Sequence, residues 1–190
     1  FDFEWINKTL FHGAYERTAS YFENSELAAA APPPPGELAL LEPYRDRLPA
    51  EVFSSVYRPP RSAAGGQGRG GLKRAMRLLR AAGWSYRGGR MFRADGEPAG
   101  FEILLVDPRN EKLALEYRRK LARLGITAKV RTVDSAQYQY RLNAYDFDMI
   151  IYLWDESLSP GNEQAFYWGS LAAGREATRN YPGIIEPAAD

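Results

Sequence analysis

The chain has 190 residues, with 25 Lys and Arg against 24 Asp and Glu, one His and no Cys. With no Cys and only His12, a thiolate nucleophile, a disulfide framework, an iron–sulfur cluster and a Cys/His zinc site are excluded or short of ligands. The formal net charge of +1 hides a local imbalance: residues 58–93 hold ten basic residues and no acid, while both flanks are acidic.

The absence of Cys fits an oxidising or a reducing compartment equally well. The longest apolar run, Met149 to Trp154, is far below the roughly 18 residues of a membrane span. The first ten residues, FDFEWINKTL, already read as mid-domain sequence, with no basic segment leading into an apolar run. The chain is therefore expected to be an internal piece of a longer protein.

From Phe1 to Pro60 the sequence is rich in aromatics and prolines. Its spacing predicts a helix over residues 15–31 and a second short helix from about Glu37. The run Pro32 to Pro35 stops the first and spaces the second as an extended piece. Residues 61–71, with SAAGGQGRGG at their centre, have the composition of a flexible connector. Leu72, Ala75, Met76, Leu79 and Ala82 then recur at helical spacing, opposite Lys73, Arg74, Arg77 and Arg80, with Gly83 placed as a C-cap. The stretch that follows has hairpin chemistry, with Gly88-Gly89 and Asp95-Gly96 at its corners.

The last segment carries the fold class. FEILLV (residues 101–106) reads as a strand closed by Asp107-Pro108. NEKLALEYRRKLARLG follows as a helix with Leu113, Tyr117, Leu121 and Leu124 on one face; it opens with acids and ends with bases, as the helix dipole favours. ITAKVRTV (residues 126–133) reads as a second strand, DSAQYQYRLNAYD as a helix with Tyr138 and Leu142 inward, and residues 147–154 as a third strand. Strands alternating with helices over short connections predict an α/β fold with right-handed crossovers and a parallel or mixed sheet.

Gly66 to Gly71 match G-x-G-x-x-G but follow RPPRSAA instead of a strand, so a connector explains them better than a dinucleotide site. No P-loop sequence occurs. Residues 58–93 have the charge to meet a phosphate backbone; the bland alternative is a solvated face. FHGAY around His12 contains no nucleophile elbow, and a structural His is expected there. The carboxylates Asp146, Asp148, Asp155, Glu156 and Glu163 are candidates for an acid/base pair or a hard-cation site. Asp146 and Asp148, two apart at the start of the predicted third strand, read as one solvated face or edge.

The stretch Tyr152 to Gly169 is the best functional candidate. It leaves the end of a predicted strand, where open α/β sheets present their ligand crevices. It mixes Tyr152, Trp154 and Trp168 with Asp155, Glu156, Ser157, Ser159 and Asn162, a set suited to stacking and hydrogen bonding an amphipathic ligand. The alternative is that the two tryptophans simply plug the end of the sheet.

Seven pieces in order (FDFEWINKTLFHGAYERTASYFENSELAA, ELALLEP, LKRAMRLLRAAGW, FEILLVDP, LARLGITAKVRTVDSAQYQYRL, YDFDMII and SLSPGNEQAFYWGS) resemble the extracellular solute-binding proteins of family 5. These are the peptide- and nickel-type receptors of ABC importers, and the nearest subgroup is the microcin C-type peptide receptors. The resemblance implies a type II periplasmic-binding-protein-like lobe, with a mixed sheet and flanking helices, residues 1–190 forming most of the second lobe. It implies a non-catalytic, periplasmic, monomeric receptor that hands oligopeptides or modified peptides to an ABC permease, with no cofactor, metal or nucleic acid. The leader peptide would lie outside this piece. The alternative function is a nucleic-acid-binding module using residues 58–93.

In that family the segment after the strand ending in Trp faces the cleft, which implies ligand contacts from Tyr152, Trp154, Asp155, Glu156, Ser157 and Asn162. Many oligopeptide receptors have an Asp three positions after that Trp, paired with the peptide's amino terminus; here the position is Ser157. Either Asp155 or Glu156 takes over, or the ligand's amino end carries no charge. The subgroup's small residues around the Trp are replaced by IIYLWDE, which implies a changed ligand preference.

Overall fold

The computed structural model describes residues 1–61, 69–155, 157 and 159–190. Most of the predicted connector, residues 62–68, lies outside the described residues, as do Glu156 and Leu158. The chain divides into two compact units, Phe1–Tyr15 with Arg61–Leu153, and Glu16–Pro60 with Trp154–Asp190.

The first unit holds α1 (Phe3–Leu10), α4 (Arg69–Ala81), the hairpin β1 (Ser85–Arg87) and β2 (Arg90–Phe92), and the alternation β3 (Gly100–Leu105), α5 (Glu111–Ala122), β4 (Thr127–Thr132), α6 (Ser135–Asn143), β5 (Met149–Ile150). Its sheet has the order β4-β3-β5. Both pairings are parallel, Gly100 to Leu105 running beside Thr127 to Thr132 and Ile103-Leu104 beside Met149-Ile150. The antiparallel pairing is confined to the hairpin and a bridge between Phe92 and Pro98. The chain steps outward from β3 to β4, then back past β3 to β5. Crossovers of one hand accordingly put α5 and α6 on opposite faces.

Ile103 and Leu105 point to the α5 side, where they bury themselves with Ala114, Leu121 and Ala128. Glu102 and Leu104 alternate to the other face, where Arg141 of α6 donates to Glu102 Oε1 at 2.6 Å. Asp134 caps α6, accepting from the Gln137 N–H at 2.9 Å, and Tyr138 and Leu142 turn inward as their spacing predicts. Asp2 caps α1 in the same way, accepting from the Trp5 N–H at 3.2 Å. The Lys120 ammonium lies 4.8 Å from the Trp5 ring centre, and Phe1 meets Tyr117 edge-on, so α1 contacts α5.

The hairpin turns through Gly88 and Gly89, both at positive φ, as a type I′ turn requires. It is stitched to the end of α5: the Met91 N–H donates to Gly125 O at 2.9 Å. Arg69 to Gly71, read as the tail of the connector, form the first turn of α4.

The second unit holds α2 (Pro35–Leu41), α3 (Glu51–Ser54) and α7 (Glu163–Trp168) among turns. Pro35 opens α2, a position where its missing N–H costs nothing. Asn180, with no exposed surface, ties this unit together: its amide donates to Gly169 O and Ile184 O and its oxygen accepts from the Ile184 N–H.

Three expectations change. Residues 15–31 form turns and bends, not a helix, because polar side chains capture the backbone groups a helix would use. Glu23 accepts from the Ala19 and Ser20 N–H groups, Ser25 Oγ donates to Phe22 O, and Ser20 Oγ accepts from the Ala29 N–H. The third strand is two residues long, not eight, because it lies at the sheet edge and pairs only with Ile103 and Leu104. Asp146 and Asp148 precede it and share no strand face: Asp146 accepts from Arg141 Nε at 2.9 Å and Asp148 from the Glu102 N–H at 2.8 Å.

Candidate functional site

The candidate segment begins where β5 ends and passes from one unit into the other. Tyr152 belongs to the first unit, half-buried; Trp154, Asp155, Ser157 and Asn162 belong to the second. Glu156 lies outside the described residues.

Within the second unit the aromatic residues come together. Trp154 and Trp168 rings are 5.0 Å apart at 41°, and Tyr21 stands edge-on to Trp168 at 5.3 Å. Both indoles are hydrogen-bonded, Trp154 Nε1–H to Arg179 O at 3.2 Å and Trp168 Nε1–H to the Tyr21 hydroxyl at 2.8 Å. Buried Tyr167 extends the cluster; its hydroxyl donates to Asp155 O and accepts from the Arg179 guanidinium, each at 3.4 Å. Both Trp rings are only half-buried, so the pair braces this unit and still shows a surface to solvent.

The polar candidates have unequal freedom. The Asp155 and Asn162 side chains are exposed, and Asn162 sits at the N-cap of α7 without making the side-chain capping bond. Ser157 is exposed and its hydroxyl donates to Ser159 O. Glu163 is folded back onto its own loop. Its own backbone N–H and that of Gly161 hold its carboxyl below the ordinary value, so it stays ionised as a local turn acceptor. His12 is exposed and in the left-handed region at φ 53°, at the turn ending α1. No group of three or more His, Cys, Asp or Glu among the described residues is arranged to hold a metal ion.

Sequence reasoning missed a groove beside α7. It is open, about 480 Å³, and lined by Asn162, Phe166, Leu171, Arg175, Glu176 and Thr178 among others. Asn162 is the single residue among them named as a ligand contact from the sequence. The helical spacing of Asn162, Ala165 and Phe166 along α7 was the available signal, whereas Leu171, 89% exposed, and Arg175 to Thr178 are brought to the groove by the fold.

The fold is that of the type II periplasmic binding proteins. The oligopeptide-binding protein AppA of Bacillus subtilis, solved with a nonapeptide, superposes on 98% of this chain with a TM-score of 0.63 at 20% identity, using 31% of its own length. The model of the bacterial extracellular solute-binding proteins, family 5 (middle region), matches residues 1–176, and the chain belongs to that family. Two curated relatives match its whole length: the uncharacterized protein y4wM of Sinorhizobium fredii at 45% identity, and the probable peptide-binding protein YejA of Agrobacterium fabrum at 42%. The chain spans 29% and 31% of the lengths of these two. None of these comparisons supports the nucleic-acid-binding alternative.

Proposed function

We propose that this chain is part of the substrate-binding component of an ABC importer, which captures oligopeptides or modified peptides in the periplasm and delivers them to the permease without catalysis. Membership of solute-binding family 5 carries this reading. A relative named as a probable peptide-binding protein supports the ligand class. So do the Trp154–Trp168 pair and the exposed Asp155, Ser157 and Asn162 of the same unit, which offer ring faces and polar groups to an extended backbone. The second-lobe assignment and the ligand contacts from Tyr152, Trp154, Asp155, Glu156, Ser157 and Asn162 are part of the same proposal. Ser157 supplies no charge opposite a peptide's amino terminus, so Asp155 or Glu156 does so, or the ligand's amino end is uncharged.

Calorimetric titration of the full-length parent protein with short peptides, free and formylated at the amino end, tests this. Saturable binding without peptide turnover is expected, weakened by Trp154→Ala. Loss of free-amine peptides alone in Asp155→Asn assigns the amine to Asp155; binding of formylated peptides only assigns an uncharged amino end. No binding of either kind overturns the reading.

A further inference from the structure

The charge of this chain is divided between its units. The first carries nineteen Lys and Arg against eleven Asp and Glu, a net of +8; the second carries six against thirteen, a net of −7. Within the first unit the densest cationic feature is α4. Its thirteen residues include Arg69, Lys73, Arg74, Arg77 and Arg80 and no acid.

All five of these side chains are exposed, on the arc opposite the half-buried Leu72, Ala75, Met76 and Leu79. None makes an ion pair or a side-chain hydrogen bond among the described residues. The arrangement works against the helix itself. Arg69 precedes Lys73 by four residues and Lys73 precedes Arg77 by four, Arg74 and Arg80 flank Arg77 at three, and such like-charged pairs destabilise a helix. Arg69 also puts positive charge on the first turn, the end where the dipole favours acids. By contrast α5 opens with Glu111, ends with Arg119 and Lys120, and pairs Arg119 with Glu116. The cations of α4 therefore have no partner inside the unit that explains them.

We propose that this face of α4 docks the protein on an anionic lipid bilayer. An array of Lys and Arg on one side of a helix complements a negatively charged leaflet, and the attraction grows with each charge and weakens in salt. Because the half-buried Leu72, Ala75, Met76 and Leu79 lie on the opposite arc, the contact of the cationic arc is chiefly with headgroups. Choosing a membrane over other polyanions rests on the receptor reading above, since a receptor that delivers to a permease works at a membrane surface.

The test uses the full-length parent protein and flotation with vesicles of phosphatidylcholine alone or mixed with phosphatidylglycerol. The triple reversal Lys73→Glu, Arg74→Glu, Arg77→Glu is compared with the charge-preserving pair Arg74→Lys, Arg77→Lys. Binding is expected only to the anionic vesicles, is lost at about 0.5 M salt, falls about a hundredfold or more in the triple reversal, and is kept in the lysine variant. Equal binding to both vesicle types, or anionic binding indifferent to the triple reversal, overturns the proposal. Binding of duplex DNA but not of vesicles, abolished by the same reversal, overturns it in favour of a nucleic-acid surface. Peptide titration of the same samples is expected to be unchanged by the reversal. Failure of peptide binding in the unmodified protein would instead count against the receptor reading.

Discussion

The indole N–H of Trp168 and the hydroxyl of Tyr21, 147 residues apart in the chain, meet at 2.8 Å, with their rings edge-on at 86°. This bond fixes the orientation of Trp168 and, through the ring contact, that of Trp154. Tyr21→Phe keeps the edge contact and removes the acceptor. It is expected to lower stability by about 1 kcal/mol, seen as a lower midpoint in thermal unfolding, and to change the fluorescence of the tryptophan pair. An unchanged midpoint and spectrum would show that solvent replaces the hydroxyl without consequence.

Gly125 stands at φ +76°, and a Cβ there would lie 2.7 Å from the Met91 nitrogen and 2.8 Å from the Arg90 carbonyl carbon, both backbone. Gly125→Ala is expected to cost about 3 kcal/mol, from strain plus a clash that neither backbone can relieve cheaply. Gly88, at φ +53° with open space around it, separates the two causes: Gly88→Ala pays only the strain, about 1 kcal/mol. Urea unfolding of the two variants side by side measures the difference.

Arg141 binds three acceptors, Glu102 Oε1 at 2.6 Å, Asp146 O at 2.8 Å and Asp146 Oδ2 at 2.9 Å, while Arg131 approaches Glu102 from β4 at 3.9 Å. The Arg141 and Glu102 side chains are 15% and 21% exposed, shielded more than an ordinary surface pair yet still reached by solvent. A double-mutant cycle with Arg141→Met and Glu102→Gln is expected to give a coupling of about 1 kcal/mol, reduced by salt. Faster amide exchange at Met149 and Ile150 should accompany it, because the loop leading into β5 hangs from this network. A coupling of zero would reduce the network to a crystal-clear geometry without energetic weight.

The Glu23 carboxyl accepts the Ala19 and Ser20 N–H groups, and these bonds hold it below its ordinary value of 4.5. Asp107 is held below 3.8 first by the Arg109 guanidinium and then by the Arg109 N–H. Carboxyls lowered by folding contribute stability that is fully present above the unfolded value and lost as pH falls through the folded one. Unfolding free energy is therefore expected to be insensitive to these two groups from neutral pH down to about 5 and to decline below 4.5. Glu23→Gln keeps an acceptor oxygen but has no proton to take up, so its acid limb should be shallower. An identical limb would remove Glu23 from the cause.

Local rules read the α/β alternation well because its signals are local. Tyr138 and Leu142 face inward at helical spacing, FEILLV overlaps β3 in all but the strand's first residue, ITAKVRTV contains β4, and Gly88-Gly89 marks the turn. They failed where side chains compete with the backbone, as Ser20, Glu23 and Ser25 do in residues 15–31. They also failed where pairing depends on a distant neighbour, as at β5, whose length is set by what β3 offers. The family resemblance was legible because several short motifs follow one another in a fixed order.

The sequence by itself determined the strand–helix alternation, the cationic stretch and the aromatic composition of residues 152–169. Only the tertiary structure decided which aromatics meet, because Tyr21 reaches Trp168 through packing that no periodicity encodes. It alone decided how charge is distributed as well. By joining residues 1–15 to 61–153 and residues 16–60 to 154–190, folding turns a chain of net charge +1 into one strongly cationic and one strongly anionic unit. Burial and contact select neighbours by complementarity in space, and sequence separation has no part in that choice.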